Sequence, residues 1–394
     1  MNTAYTAPPE VARFAQRGLI IGVVSLAWVL LGVLSDRTQF FHSYLIGYLF
    51  WTGVAVGSLA LLMLQHLTGG GWGLVIRRPL EAATRTLPLM LLLFIPILLG
   101  ARQIYPWTNH EEMARNPVLV EKTAKYLNQP FFTLRAAAIF GIWLLLAFFL
   151  NKWSSEQDRS ADQQATKKMR LLSGPGMVLF VFTVTVASID WSMSLDPEWS
   201  STIYGFLFVA AWSLSALAFV IATLALLSKR QPMSSIVAPL HFHDLGKLLL
   251  ALVMLWAYFA FSQFLIIWSG NLPEEISWYL PRMRGAWGVI AVAVIVLHFA
   301  LPFLFLLSRS LKRNPHKLVL VAAMILLMRY VDLIWLVEPN FQGGRFRVLM
   351  DVLAWIGFGG LWLGAFSRHL SKRPLIPVND PQLPSVLEQM HARH

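Results

Sequence analysis

Ten stretches of this chain are long and apolar enough to cross a lipid bilayer. They lie at roughly 18–34, 44–66, 86–101, 131–150, 174–194, 202–227, 243–268, 285–308, 316–337 and 348–368. A spanning helix needs about 20 mostly apolar residues. In hydrocarbon every backbone N–H and C=O must find its partner within the protein, and segments of this length do so as α-helices. Of the 394 residues, 57% are hydrophobic and only 13% are charged, which excludes an ordinary soluble domain. The expected fold is an all-α integral membrane protein of ten transmembrane helices. The third span is the shortest.

With ten spans both termini lie on one side. The tails and the loops after spans 2, 4, 6 and 8 carry about two thirds of the Lys and Arg residues, which predicts cytoplasmic termini. The net charge of +12 follows from this topology and gives no reason to invoke nucleic acid. The N-terminal segment MNTAYTAPPEVARFAQRG lacks a basic stretch followed by a small-residue cleavage site, so the first span is expected to remain. The chain has no Cys. That excludes thiolate-held iron–sulfur clusters, covalent c-type haem and disulfides, so any redox centre is non-covalent or on a partner. Residues 102–130 are expected outside, with a short surface helix placed to dock a partner. Residues 151–173 read as a solvated inner connector, and the last 26 residues as a tail.

An internal repeat organises the spans. SYLIGYLF (Ser43–Phe50) opens span 2 and STIYGFLF (Ser201–Phe208) opens span 6; Ser43/Ser201, Gly47/Gly205, Leu49/Leu207 and Phe50/Phe208 match. Span 5 ends Asp190-x5-Asp196-Pro197 and span 9 ends Asp332-x5-Glu338-Pro339. Equivalents lie four spans apart, so the repeat is parallel. The expected division is 1–43 (tail and first peripheral helix), 44–200 (first four-helix bundle, spans 2–5), 201–340 (second bundle, spans 6–9) and 341–394 (last peripheral helix and tail).

Ionisable groups in lipid are costly and mark function or paired packing. Span 7 opens with His241, His243, Asp244 and Lys247, and carries Ser262 and Gln263 near its far end. Asp244 and Lys247 share a helix face, either snorkelling to the interface or admitting protons. Gln65 and His66 stand at the inner end of span 2, His298 midway along span 8, and Arg329 and Asp332 three apart in span 9. Arg329–Asp332 is a charge pair that fixes packing or joins a relay. His298 is a packing residue or a proton carrier. Asp190 has no basic neighbour within a turn, so a protonated resting state is expected. Together Asp190, Asp244, Lys247, His298, Arg329, Asp332 and His66 form a candidate, broken proton ladder. Ser43, Tyr44, Ser262 and Gln263 are candidate quinone contacts near the outer ends. No catalytic or metal-ligating set, phosphate loop or Ser–His–Asp arrangement is present in the sequence. The histidines pair poorly in depth for a b-type haem. Gly69–Gly71 reads as a tight turn.

Six segments carry a family resemblance: HLTGGGWGLVIRRPLEAA (66–83), KYLNQPFFTLRAA (125–137), IDWSMSLDPEWSSTIYGFLF (189–208), HFHDLGKLLLALVMLWAYFAFSQFLIIWSGNLPEE (241–275), HFALPFLFLLSRSLKR (298–313) and MRYVDLIWLVEP (328–339). With these the chain resembles the ActF-type membrane subunit of alternative complex III, a quinol:cytochrome c oxidoreductase, within the wider NrfD/PsrC-like group. The resemblance implies two four-helix bundles flanked by two further helices. It implies partners: a sister NrfD-like membrane subunit, multihaem and monohaem cytochrome c subunits and an iron–sulfur subunit, with haem and clusters on those partners. It implies menaquinol or a similar quinol as the reductant, a bacterial cytoplasmic membrane, and a proton-conducting or structural role for this subunit. Ala211-Trp212 stands where the resemblance leads one to expect Gly-Gln. The alternatives are a quinol-binding electron-entry subunit, a secondary transporter and a pure scaffold.

Overall fold

The computed structural model describes residues 5–114, 116–160, 163–341 and 348–384. Among these residues, ten helices are long and apolar enough to span a membrane. They are α1 (Pro9–Ser35), α2 (Arg37–Thr68), α3 (Gly71–Leu99), α4 (Gln129–Arg159), α5 (Gln163–Trp191), α6 (Tyr204–Leu227), α7 (Pro239–Gly270), α8 (Gly285–Leu307), α9 (Pro315–Val337) and α10 (Val348–Ser371). The protein is an all-α integral membrane protein, and no strand occurs among the described residues.

Helix starts follow local chemistry. Asp36, Asn128 and Asn314 cap α2, α4 and α9 by accepting hydrogen bonds from first-turn N–H groups. Pro stands in the first turn of α1, α4, α7 and α9, where its missing N–H costs nothing.

Two helices form the axis of the molecule. The apolar stretch of α2 is buried along its whole length and that of α6 nearly so, whereas α1, α7 and α8 show most of theirs to lipid. α2 packs on α3, α4 and α5, and α4 on α5; α6 packs on α7 and α9, with α8 between α7 and α9. The contacts thus gather α2–α5 and α6–α9 into two four-helix groups. They join where α2 crosses α6. A Cβ on Gly57 would stand 2.0 Å from the Trp212 carbonyl oxygen, so only glycine permits the crossing.

Three local readings need correction. The third span is not short: α3 begins at Gly71 with a polar, buried turn bearing Arg77, Arg78 and Glu81, then bends at Arg85–Thr86 and continues apolar to Leu99. Residues 151–173 are not a solvated connector. α4 and α5 extend through most of it as a helical hairpin, and Ser154, Gln157 and Met169 are buried. The C-terminal segment is not a free tail to its described end. Leu375, Ile376 and Asp380 are buried against the end of the first bundle that lies on the side of the chain termini. The outer segment after α3 folds back through short helices, with Trp107 buried and its Nε1 donating to Ser194 Oγ at 3.2 Å.

Candidate functional site

The second bundle encloses a polar layer. His298 lies on a π-helical turn of α8 (Ile295–Ala300), is fully buried, and meets the Trp256 ring of α7 edge-on at 4.5 Å. Such turns interrupt the regular hydrogen-bond ladder and recur at functional sites. Among the described residues neither ring nitrogen of His298 makes a well-formed hydrogen bond, and the Ile325 backbone is the polar group close to the ring. On α9, Arg329 Nη1 donates to Asp332 Oδ2 in a buried ion pair. The pair forms because i and i+3 share a face, and neither charge is tolerable there alone. The guanidinium also faces the Phe208 ring at 5.5 Å, while its Nε and Nη2 have no partner among the described residues. Trp256 lies close to Asp332, and Arg329 is within electrostatic reach of His298. The structure thus brings His298, Arg329 and Asp332 together. It adds Trp256, which carries no charge for a scan of ionisable residues to find.

Away from the chain termini the polar groups continue. Tyr204, at the start of α6, shares a 2.6 Å hydrogen bond with Ser192, just past the end of α5. This contact links the two bundles. Two residues back, Asp190 is fully buried and bound bidentately by Arg135 of α4, at 2.7 and 3.0 Å. The expected lone Asp190 is therefore a paired carboxylate. Its partner comes from another helix, and the Arg135 guanidinium also stacks on Tyr126 at 3.8 Å. Asp190 and Asp332, equivalent in the repeat, each carry an Arg by a different route.

Arg282 ties down the outer end of the second bundle. It donates to the carbonyls of Trp278 and Leu336 and to Asn340 Oδ1, at 2.7, 2.8 and 2.7 Å. It lies 3.6 Å over the Trp278 ring. Burial pulls its guanidinium down to about 9, opposed by Tyr204, Asp196 and Tyr279. Burial also raises the nearby Asp196 carboxyl, against backbone N–H groups and Arg282.

At the inner end, Lys247 Nζ stands 3.2 Å from Asp244 Oδ1, and both side chains reach solvent. Trp256 lies nine positions along from Lys247, about 14 Å of helix. That interval presents Leu249 and Val253 to the core. Lys312 runs its stem over Gly246 there. His66 lies in the first bundle, half-buried beside the Arg77–Glu81 group, and is not part of the His298 layer.

The four candidate quinone contacts do not converge. Ser43 donates to Asp351 Oδ1 at 2.6 Å, and the Tyr44 hydroxyl donates to the Leu93 carbonyl at 2.9 Å. Gln263 accepts from Ser201 at 3.1 Å and donates to the Tyr279 hydroxyl at 3.3 Å, while Ser262 is half-buried beside it.

Two groups were not found from sequence. The larger is the ion cluster closing the inner end of the first bundle. Arg77 donates to Glu81, Asp380, Ser154 and Gln157 at 2.9, 2.6, 3.1 and 2.8 Å. Arg78 donates to Glu81 at 2.6 Å and also pairs with Asp158; Arg373 approaches Glu81 at 3.4 Å. Its signal was the charged R-R-x-x-E run inside an apolar region. The smaller group is Glu338 with Asp351. Both are buried, and each has one carboxyl oxygen without a hydrogen bond. Glu338 stood in the repeated D-x5-[DE]-P motif; Asp351 carried no signal.

No family model and no curated protein matches the chain.

Proposed function

We propose that the chain is the membrane subunit of a respiratory quinol:cytochrome c oxidoreductase of the alternative complex III kind, and that its second bundle moves protons. One observation carries this reading. A fully buried histidine sits on a π-helical turn with only the Ile325 backbone near its ring nitrogens, beside a buried Arg–Asp pair whose arginine Nε and Nη2 find no partner among the described residues. Buried polar groups are nearly always satisfied, and water is the usual partner where protein supplies none. A wet layer around a group that titrates near neutrality is suited to proton transfer. The Asp244–Lys247 pair is the cytoplasmic entrance in this reading, and Tyr204 and Ser192 continue the path outward. Between entrance and layer, water must bridge about 14 Å of apolar helix. The first bundle offers no comparable inlet, because its inner end is closed by the ion cluster.

In this reading the termini are cytoplasmic and the membrane is the bacterial inner membrane. Electrons pass through iron–sulfur and cytochrome c partners beside a sister NrfD-like subunit, with menaquinol or a related quinol as reductant. The test is the intact complex carrying Asp332→Asn or His298→Ala. Quinol:cytochrome c turnover or proton release should fall while the subunits still co-purify. Full turnover and full proton release in both variants would overturn the reading, as would purification of the native chain without c-type cytochromes.

A further inference from the structure

The inner ends of α3, α4 and α10 leave a cleft between them that the proton-transfer reading does not use. It holds about 470 Å3. Its walls are apolar, from Pro88 at the α3 bend and Leu144 and Phe148 on α4; its rim carries Arg85, Lys152 and His369. No acidic side chain lines it among the described residues. Leu144 and Phe148 lie on a helix face that is itself partly exposed to lipid.

The rim is poorly neutralised. Arg85 spends only Nε, donated to Asn151 Oδ1 at 2.7 Å. Its remaining N–H groups make no hydrogen bond among the described residues. Lys152 is exposed. Arg373 stands behind the rim in a small adjoining pocket that also contains Arg85 and His369. Burial, together with Arg85 and Arg78, pulls the Arg373 guanidinium down to about 10, with Glu81 opposing. Cations are crowded here, and Glu81 is already bound by Arg77 and Arg78. A basic rim above apolar walls at the terminus side fits a phosphate with acyl chains below it. Basic recesses between membrane helices take anionic headgroups in this way.

We propose that this cleft is a binding site for an anionic phospholipid, with the headgroup phosphate on Arg85, Lys152 and His369 and the acyl chains along Leu144 and Phe148. The site lies on the first bundle and is independent of the proton-transfer reading. The test uses the purified full chain in neutral detergent, followed by native mass spectrometry and thermal melting. Phosphatidylglycerol, phosphatidylcholine and inorganic phosphate are titrated in parallel. Phosphatidylglycerol should bind and raise the melting temperature well beyond phosphatidylcholine. Each removed rim cation should weaken it about 5-fold, so Arg85→Gln with Lys152→Gln should weaken it about 25-fold. A distant basic pair, Arg309→Gln with Lys317→Gln, should leave binding unchanged. Ala147→Phe, which fills the cleft wall without touching the rim charges, should also block binding. It keeps the test decisive if loss of Arg85 impairs folding. Equal binding of the two lipids, undiminished binding in the rim and Ala147→Phe variants, or stabilisation by phosphate alone would each overturn the proposal.

Discussion

At the scale of single residues, buried ion pairs set what the bundle tolerates. Asp190 has no exposure and is held by Nε and Nη2 along one edge of Arg135. Removing one partner leaves an uncompensated charge, at a cost of about 3–5 kcal/mol, whereas removing both leaves neutral groups. We therefore expect Arg135→Gln to destabilise the chain strongly, and Asp190→Asn with Arg135→Gln to recover much of the loss. Thermal melting in detergent, read as a double-mutant cycle, checks this. Additive losses would mean that the pair does not act as a unit. The same pairs show what was legible in the sequence. Arg329–Asp332 could be read directly, because a spacing of three fixes a shared helix face. Asp190–Arg135 could not, because the partners are 55 positions apart and meet only through the packing of α4 on α5. His298 could be placed in its span, but the π-helical turn beneath it leaves no mark in side-chain pattern.

Among elements, close approach and terminal docking decide the architecture. α1 and α10 were expected only as peripheral additions, yet they pack chiefly against each other. Gly18 and Gly22 face Gly360 and Gly364 there, and a Cβ on Gly22 would lie 2.3 Å from the Leu361 nitrogen. The four-residue glycine spacings were visible, but spacing does not say which helix is the partner. At the central crossing, Gly57→Ala should force α2 and α6 apart and cost about 1–3 kcal/mol or more. Gly141→Ala meets nothing within 4 Å and should stabilise α4 by up to about 1 kcal/mol. Melting temperatures that moved alike in the two variants would contradict the crossing. The C-terminal segment makes a second element-scale case. Arg77, Arg78 and Arg373 are matched by Glu81, Asp158 and Asp380, and Asp380 arrives from beyond α10. Asp380→Asn should unbalance this buried cluster and cost about 3–5 kcal/mol, visible as a lowered melting temperature. An unchanged melting temperature would show that the segment merely rests on the bundle. Sequence hid this because 66–85 reads as a loop and the tail has no apolar run, while their charges balance only after folding.

Over the whole molecule, the two helix groups have unlike ends on the side of the chain termini. The first is closed by six charges and a returning chain segment; the second presents Asp244 and Lys247 to solvent. The count of ten helices among the described residues was legible, because apolar length is a one-dimensional signal. The asymmetry was not, since it depends on the C-terminal segment reaching only one bundle. Its functional meaning depends on which face is cytoplasmic. The bias of Lys and Arg toward the terminus side makes that a sharp expectation, and the absence of Cys makes it easy to test. Lys229, between α6 and α7, and Glu274, between α7 and α8, are both exposed and stand at opposite ends of α7. In cells whose outer barrier admits the reagent, a membrane-impermeant maleimide should label Glu274→Cys while the inner membrane is intact. It should label Lys229→Cys only after that membrane is permeabilised. The reverse pattern would place Asp244–Lys247 outside and the closed end of the first bundle with it. The second bundle would then release protons where it is proposed to admit them.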